Sequence, residues 1–415
     1  MKNVLVFLEA NTTGSGMAAL HKADLMGFHP VFLTQNPQRY IGLEQTKAEV
    51  IICDTNDLNA IQNVLLKHIG LSQVCGITTT SDFYVELVAA LSECPAVLEH
   101  THFVGNPSHV LHTCRNKALT RACLAAASIQ QPRFYVARSE AEVGSGLAQL
   151  GLPCIIKPVD DSGSNNVKFC TREEEVYELT RHILSIPRNV RGQPNQQAVL
   201  LEEYIEYREY SVEMFSIHGE ATCIGITEKH LTGFPFFVEA RHIFPAPLPL
   251  AAQEKIILTV QQALHAVGFQ NGPTHTEIKW SMQQGCVILE INPRLAGGMI
   301  PTLIMHAANI DLLEQQIRLA ANQSVSLEVE CRQVAGIQFL VADRNGVLTE
   351  IEGIHEAHGL PGVKEVRTTG RPGQQVRPPQ NAYDRLGSVI AATETYEETV
   401  RTLNQATRLI TLHVH

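Results

Sequence analysis

Residues 286–294 read CVILEINPR. As a β-strand this run puts Ile288, Glu290 and Asn292 on one face and Val287, Leu289 and Ile291 on the other. A carboxylate and an amide oxygen two residues apart are spaced to share a hard cation, which takes oxygen ligands and completes its shell with water and phosphate oxygens. Arg294 follows just past the strand end, where its fork of donors could hold a phosphoryl or acyl-phosphate oxygen. The same residues also suit a plain strand end with a solvated Glu and Asn and a surface Arg. A second strand shifts the balance. Residues 274–280, THTEIKW, place Glu277 and Lys279 on one face and Ile278 and Trp280 on the other, so hairpin pairing could set Glu277 beside Glu290. Two carboxylates that close repel unless a metal neutralises them.

In residues 155–158, IIKP, Lys157 is a charge within an apolar strand, and DDSGSNN follows at 160–166. Small residues such as Ser162, Gly163 and Ser164, with Gly or Asn accepting positive φ, can form an anion-binding nest of successive amides beside the lysine. A hairpin turn with a snorkelling lysine fits the same residues. Residues 200–205, LLEEYI, form a strand whose backbone is exposed where it leaves the sheet, and Glu209 lies just beyond. An adenine edge could pair with that backbone and a carboxylate such as Glu209 could accept from ribose hydroxyls. Glutamates at strand ends are more often merely solvated.

Near the N-terminus GSGMAA (14–19) follows a strand and opens a helix, as a dinucleotide fingerprint does. The second strand, however, ends at Thr34 and Gln35 without the acidic residue a ribose needs. These glycines read as a close helix–strand turn lining a cleft. The pairs His100 and His102, His109 and His112, and His413 and His415 lack converging further ligands for zinc. No G-x-S-x-G nucleophile elbow occurs.

The elements that must position these groups change character along the chain. Strands at 4–8, 31–34, 49–53 and 74–78 alternate with helices at 17–26 and 58–69, which implies a parallel, doubly wound sheet. A proline and polar stretch at 106–108 leads into a basic helix start at 115–121 and marks a boundary. From Pro153 the apolar runs 154–159, 198–205, 210–217, 221–227, 274–281 and 286–291 are expected to form an antiparallel sheet. Thr171 with Glu174 reads as the capping box of a helix through Leu184, and 253–267 as a second long helix. The tail from about Cys331 offers short strands at 336–341 and 387–392, a turn-rich span at 370–379 and an amphipathic helix at 396–406. It has too few ionisable clusters to suggest chemistry of its own. The expected fold class is thus α/β followed by α+β.

At 415 residues and 44% hydrophobic the chain can bury enough core for several structural units. A formal charge of −10, with 42 acidic and 32 basic residues and no long Lys/Arg run, argues against nucleic acid as a partner. The ten scattered cysteines, without a C-x-x-C pair, read as reduced core residues. The apolar run 4–8 is too short for a signal-peptide core or a membrane span, so a cytoplasmic protein away from the membrane is expected.

Taken in order, Lys117, Lys157 with its Ser-Gly-Ser loop, Glu202-Glu203-Tyr204-Ile205, Glu209, Glu277 and Glu290-x-Asn292-x-Arg294 resemble the ATP-grasp superfamily over most of the chain. Within it, FPFFVEARHIFPAPL (234–248) and LEINPRLAGGMIP resemble the L-amino acid ligases, which make dipeptides and related amides, more than the biotin carboxylases. The resemblance implies an ATP-grasp fold. It comprises a Rossmann-like pre-ATP-grasp domain (1–112), a small or lid subdomain (113–197), a large subdomain with the metal site (198–330) and a C-terminal α+β subdomain (331–415). It also implies that Lys117 and Lys157 contact ATP phosphates under the Ser162-Gly163-Ser164 loop. Glu202, Glu203 and Ile205 would meet adenine, and Glu209 would hold ribose. Glu277, Glu290 and Asn292 would ligate magnesium, for which manganese could substitute. Arg294 and Lys157 would serve catalysis, Arg294 by stabilising the acyl phosphate and the tetrahedral species formed from it, while Glu239 would face a substrate amino group. Gly297 and Gly298 would leave room beside the acyl site. Asn165 and Asn166 depart from the usual Gly-rich loop.

The implied activity joins a small-molecule carboxylate to an amine with ATP, through an acyl phosphate, releasing ADP and phosphate. An amino acid would be at least one substrate, and a homodimer is left open. Competing readings are a biotin-carboxylase-like or nucleotide-biosynthetic enzyme with another acceptor, and an ATP-binding regulatory protein without turnover.

Overall fold

The computed structural model describes residues 3–12, 15–99 and 103–415. Its first layer is a parallel sheet in the order Glu49–Ile52, His29–Thr34, Val4–Leu8, Val74–Thr78. Every residue of Val4–Leu8 is buried, as befits a central strand of a parallel sheet covered on both faces. The order of strands reverses beside Val4–Leu8, and ligand crevices of such sheets open there, past the strands' carboxyl ends. Asn11 and Asp82, which follow Val4–Leu8 and Val74–Thr78, both reach the central cavity described below. Gly16 allows the tight turn read from sequence, since a Cβ there would lie 2.0 Å from the Asn11 carbonyl oxygen. Gly14, His100 and His102 lie outside the described residues.

The antiparallel part departs from expectation, because the apolar runs after Pro153 divide between two sheets. Phe134–Ala137, Val199–Glu203, Cys154–Pro158 and Lys168–Cys170 form a four-stranded sheet, with the helices Val143–Leu150 and Glu173–Leu184 sharing its core. The others join an eight-stranded sheet in the order Gly285–Asn292, Gly272–Ser281, Arg208–Ile217, Glu220–Thr232, Val238–Phe244, Val334–Val341, Arg385–Thr393, Val363–Thr368. Periodicity reports which residues alternate; it carries no information on which strand lies alongside. The last three strands belong to the tail, so the tail extends the sheet that carries the candidate metal ligands.

Two helix starts also differ from the sequence reading. The expected basic helix is broken at Asn116, whose side chain accepts from the amides of Ala118 and Leu119 and so starts Lys117–Ala126 afresh after Ser108–Arg115. The helix Glu173–Leu184 is capped one residue later than Thr171–Glu174 would place it, with the Glu175 carboxylate accepting from the Thr171 and Arg172 amides at 3.1 and 3.3 Å.

The largest apolar cluster unites the layers. Leu5, Phe7 and Leu20 of the parallel unit share it with Leu303 and Ile317 of the helices Ile300–Ala308 and Leu312–Ala320, and with Ile337 of the large sheet. The helix Leu250–Val267 packs under the other half of the large sheet through Ile256, Val260 and Leu264. Of the cysteines, Cys331 alone is exposed. Among the described residues no helix is long and apolar enough to cross a membrane.

Candidate active site

A cavity of about 1130 Å³ opens where the parallel unit, the four-stranded sheet and the large sheet meet. Every site residue named from the sequence lines it, from Lys117 through Arg294 to Gly298.

At the end facing the four-stranded sheet, Lys157 points inward from Cys154–Pro158 with its Nζ 2.6 Å from Glu202 Oε2. Glu202 Oε1 accepts from Arg121 Nε at 2.6 Å, and Arg121 in turn donates to the carbonyls of Ile288 and Leu289 at 3.2 and 2.6 Å. Both oxygens of Glu202 are thereby taken up. Its side chain anchors a lysine, and the adenine edge read from this strand is one that backbone groups would pair. Burial pulls the Lys157 ammonium below its usual range, although Glu202 opposes this. Glu203 is held by the amide and Nε of Arg133 at 2.8 and 2.7 Å, so the polar groups left for an adenine edge at this strand end are backbone ones.

Lys117 sits beside Lys157 and bridges two elements. Its Nζ donates to the Asp161 carbonyl at 2.7 Å and lies 3.1 Å from Glu290 Oε1. The loop above them is a run of left-handed residues, with φ of 75° at Gly163, 57° at Ser164 and 57° at Asn166. Asp161 ties it down through the Ser162 amide (2.9 Å) and Asn165 Nδ2 (2.7 Å). The asparagines thus have distinct tasks: Asn166 accepts the backbone conformation a glycine would otherwise supply, and Asn165 fastens the loop.

On the large sheet Glu277 and Glu290 are direct cross-strand partners, and His275 is paired with Asn292. The strict alternation read from CVILEINPR fails at one point. A bulge between Glu277 and Ile278 leaves Leu289 without a partner, so that Ile288 turns into the core against Ile278 while Leu289 and Glu290 both line the cavity.

The groups missed from sequence are the ones that organise this end. Lys229, its side chain 1% exposed, lies 2.8 Å from Glu277, 3.2 Å from Glu209 and 3.3 Å from Glu239. Lys279 reaches Glu209 at 3.4 Å, and Arg385 from the tail reaches Glu239 at 2.5 Å. An unbroken ladder of alternating charge therefore runs Lys279, Glu209, Lys229, Glu239, Arg385 across four neighbouring strands to the tail. Burial disfavours the Lys229 ammonium, yet its three carboxylates hold its pKa well above the usual range. Burial would likewise raise the Glu239 carboxyl, but Lys229 and Arg385 hold it down to about 2. His275, paired with Glu213 at 2.9 Å, is raised to about 9 against its burial and carries a charge. His242 has no such partner and burial lowers it to about 3.

The tail thus contributes to the site, contrary to the expectation of no chemistry there. Gly298 also departs from the reading as open room: at φ 58°, its missing Cβ would come 2.6 Å from His242 Nε2. The space is filled by the imidazole. Gly297 has nothing within 4 Å of its Cβ position and does leave room. Arg294 Nε lies in charge contact with Asp82 of the parallel unit (2.6 Å) without a hydrogen bond to it, and Nη1 donates to the Leu295 carbonyl (2.8 Å). Of the missed groups, Asp82 had a signal, since it ends a polar run, TTTSD, just past a parallel strand. Arg385 and Lys229 had none, because each is defined by strands distant in sequence.

Glu277, Glu290 and Asn292 supply two carboxylates and an amide oxygen, the donor types of a hard cation. Among the described residues no three or more His, Cys, Asp or Glu side chains form a metal cage of their own. This donor set would leave a cation to take the rest of its shell from other oxygens.

Comparison with known proteins agrees with this geometry. Residues 150–302 match an ATP-grasp domain, and residues 338–415 match an L-amino acid ligase C-terminal domain. The second match separates the ligase reading from the biotin-carboxylase-like alternative. Uncharacterized protein y4rH of Sinorhizobium fredii (strain NBRC 101917 / NGR234) is 32% identical over 391 residues, covering 94% of this chain and 79% of that protein. The L-arginine-specific L-amino acid ligase of Bacillus subtilis is 24% identical, with 72% of each chain covered. The crystal structure of an L-amino acid ligase from Bacillus licheniformis superposes with a TM-score of 0.82 over 100% of both chains at 20% identity, sharing the fold. The chain belongs to the ATP-grasp superfamily, joins its ATP-grasp domain to an L-amino acid ligase C-terminal domain, and is an ATP-dependent enzyme that forms C–N bonds.

Proposed function

We propose that this enzyme uses ATP to convert a carboxylate into an acyl phosphate and transfers the acyl group to an amine, with an amino acid as at least one substrate. The observation that carries the reading is the convergence, in one cavity, of the opposed Glu277 and Glu290 with Lys117, Lys157 and Arg294. A carboxylate is a poor acyl donor because its leaving group would be oxide. Its oxygen attacks the γ-phosphorus of ATP, the bond to the β–γ bridging oxygen breaks, and ADP leaves. An amine nitrogen then attacks the acyl carbon, orthophosphate departs with the C–O bonding pair, and the nitrogen gives up a proton.

In this reading Lys117 and Lys157 hold phosphate oxygens, and the 161–166 loop covers them and excludes water. Magnesium, which Glu277, Glu290 and Asn292 would hold, supplies charge neutralisation on the phosphoryl group. Arg294 would stabilise the acyl phosphate through its remaining guanidinium nitrogen. Glu239, kept ionised by Lys229 and Arg385, is an anionic site for a substrate ammonium. The reduced cysteines suit a cytoplasmic setting. The test is product analysis over pairs of amino acids and other carboxylates. ADP and orthophosphate in equal amounts with an amide are expected, and AMP with pyrophosphate would overturn the acyl-phosphate route.

A further inference from the structure

Asp82 belongs to the parallel unit, yet its carboxylate makes contact with both other parts of the site. It closes a polar run, Thr78 to Asp82, that is buried throughout at the end of Val74–Thr78, and Asp82 itself is 4% exposed. Its Oδ2 lies 2.6 Å from Arg294 Nε on the large-sheet side, an ion pair off the N–H direction, and accepts from the Ser162 hydroxyl of the loop at 2.8 Å. Its other oxygen, Oδ1, is buried without a hydrogen-bond partner among the described residues. The Arg115 guanidinium, stacked over Phe83 with its carbon 5.1 Å from the ring centroid, adds positive charge nearby and binds the Asp160 carbonyl at 2.9 Å.

We propose that Asp82 is a positioning residue that makes the aim of Arg294 depend on the phosphate loop being down. The inference rests on the ligase reading, in which Arg294 holds the acyl phosphate. A guanidinium has three nitrogens. Nη1 donates to the Leu295 carbonyl, while Nε lies in charge contact with Asp82 without a hydrogen bond, so Nη2 is left for a ligand and the aim of the guanidinium depends on how the Asp82 carboxylate is turned. The Ser162 hydroxyl competes for the same carboxylate oxygen. While it is engaged, Asp82 meets Arg294 through one oxygen only. When the loop lifts, Ser162 leaves, and the carboxylate with its idle Oδ1 is free to turn and grip the guanidinium with both oxygens, the geometry such pairs favour. That grip draws the arginine off the reacting phosphate. Phosphoryl transfer is thereby confined to the covered state, in which water is excluded.

The test uses the full chain with Asp82→Ala, Ser162→Ala, the double variant and Arg294→Met, measuring amide formation at saturating ATP, ATP KM, and ADP released per amide formed. Each single alanine variant is expected to lower kcat by ~10-fold or more, and Asp82→Ala, which uncouples Arg294 from the loop, should also raise the ADP-to-amide ratio while leaving ATP KM within ~3-fold. Because both residues act through one contact, the double variant should be no slower than the worse single variant. Multiplicative losses in the double variant, or wild-type kcat and coupling in Asp82→Ala, would overturn the inference. If Asp82→Ala does not fold, Asp82→Asn keeps the shape and one acceptor oxygen, and an unchanged ADP-to-amide ratio in it would count equally against the proposal. A fully active Arg294→Met would instead sink the role of Arg294 itself, so the two failures are told apart.

Discussion

Lys229→Met removes one charge from the point where three carboxylates meet, and its cost follows from the distances. At 2.8, 3.2 and 3.3 Å, each pair has a gross attraction of about 5 kcal/mol at an effective dielectric near 20. Desolvation of the buried ammonium cancels much of this, and removing one partner of such a buried set costs about 3–5 kcal/mol net. A second route gives a similar figure. Holding Glu239 at about 2 against an ordinary 4.5 corresponds to about 3 kcal/mol, of which Arg385 supplies a share. The sign is that of a depressed carboxylate: this stability is present above the unfolded value of 4.5 and is lost as pH falls toward 2. The stability gap between wild type and Lys229→Met, measured by urea unfolding, should therefore be about 3–5 kcal/mol at pH 7 and narrow toward about 2 at pH 3.5. Amide formation should fall with it, since Glu239 and Glu277 both lose the group that orients them. A gap under about 1 kcal/mol at pH 7, or one that does not change with pH, would show that the ladder of charges is screened and does not hold the site together.

Glu290→Gln keeps size and hydrogen bonding but removes a negative charge, and ADP formation across a magnesium titration should shift to ~10-fold or higher metal demand; wild-type rate and metal dependence would refute the ligand assignment. His275 is raised from 6.5 to about 9, so its ion pairs stabilise the fold fully below 6.5 and lose effect as pH rises through 9. The loss is about 3 kcal/mol across that window, and His275→Gln should flatten it in unfolding midpoints. Gly298→Ala would force a Cβ to 2.6 Å from His242 at positive φ and should cost about 1–3 kcal/mol. Gly297→Ala meets nothing within 4 Å, so thermal stability should not move; a fall in its turnover would mark where the substrate lies.

The residues legible from sequence were those whose partners sit nearby along the chain. Glu277 beside Glu290 followed from two alternating runs joined by a short turn, and the nest at 161–166 followed from small residues beside a strand lysine. The alternation misplaced Ile288 and Leu289 because a bulge is a property of two paired backbones, and neither strand alone encodes it. The ion pairs that fix Glu202 were not legible because one partner, Arg121, lies on a helix far upstream. The division of the apolar runs into two sheets was hidden for the same reason: burial pattern is local, neighbour identity is not.

The continuity of the large sheet has a consequence for how such enzymes could diverge. Arg385, Gly387 and Ser388 enter the cavity on a tail strand, while Lys117, Lys157, Glu277 and Glu290 all precede residue 331. Exchanging 331–415 between relatives would therefore graft a new wall onto the cavity beside Glu239 and leave the end lined by Lys117 and Lys157 intact. Such a cassette has to carry a strand that can zip onto Val238–Phe244 in the register of Arg241 with Gln338 and Phe244 with Ala335. Without that match the open edge of Val238–Phe244 becomes a template for other chains. Grafts should thus sort into two kinds, those that retune acceptor choice and those that aggregate, according to the fit of a single strand.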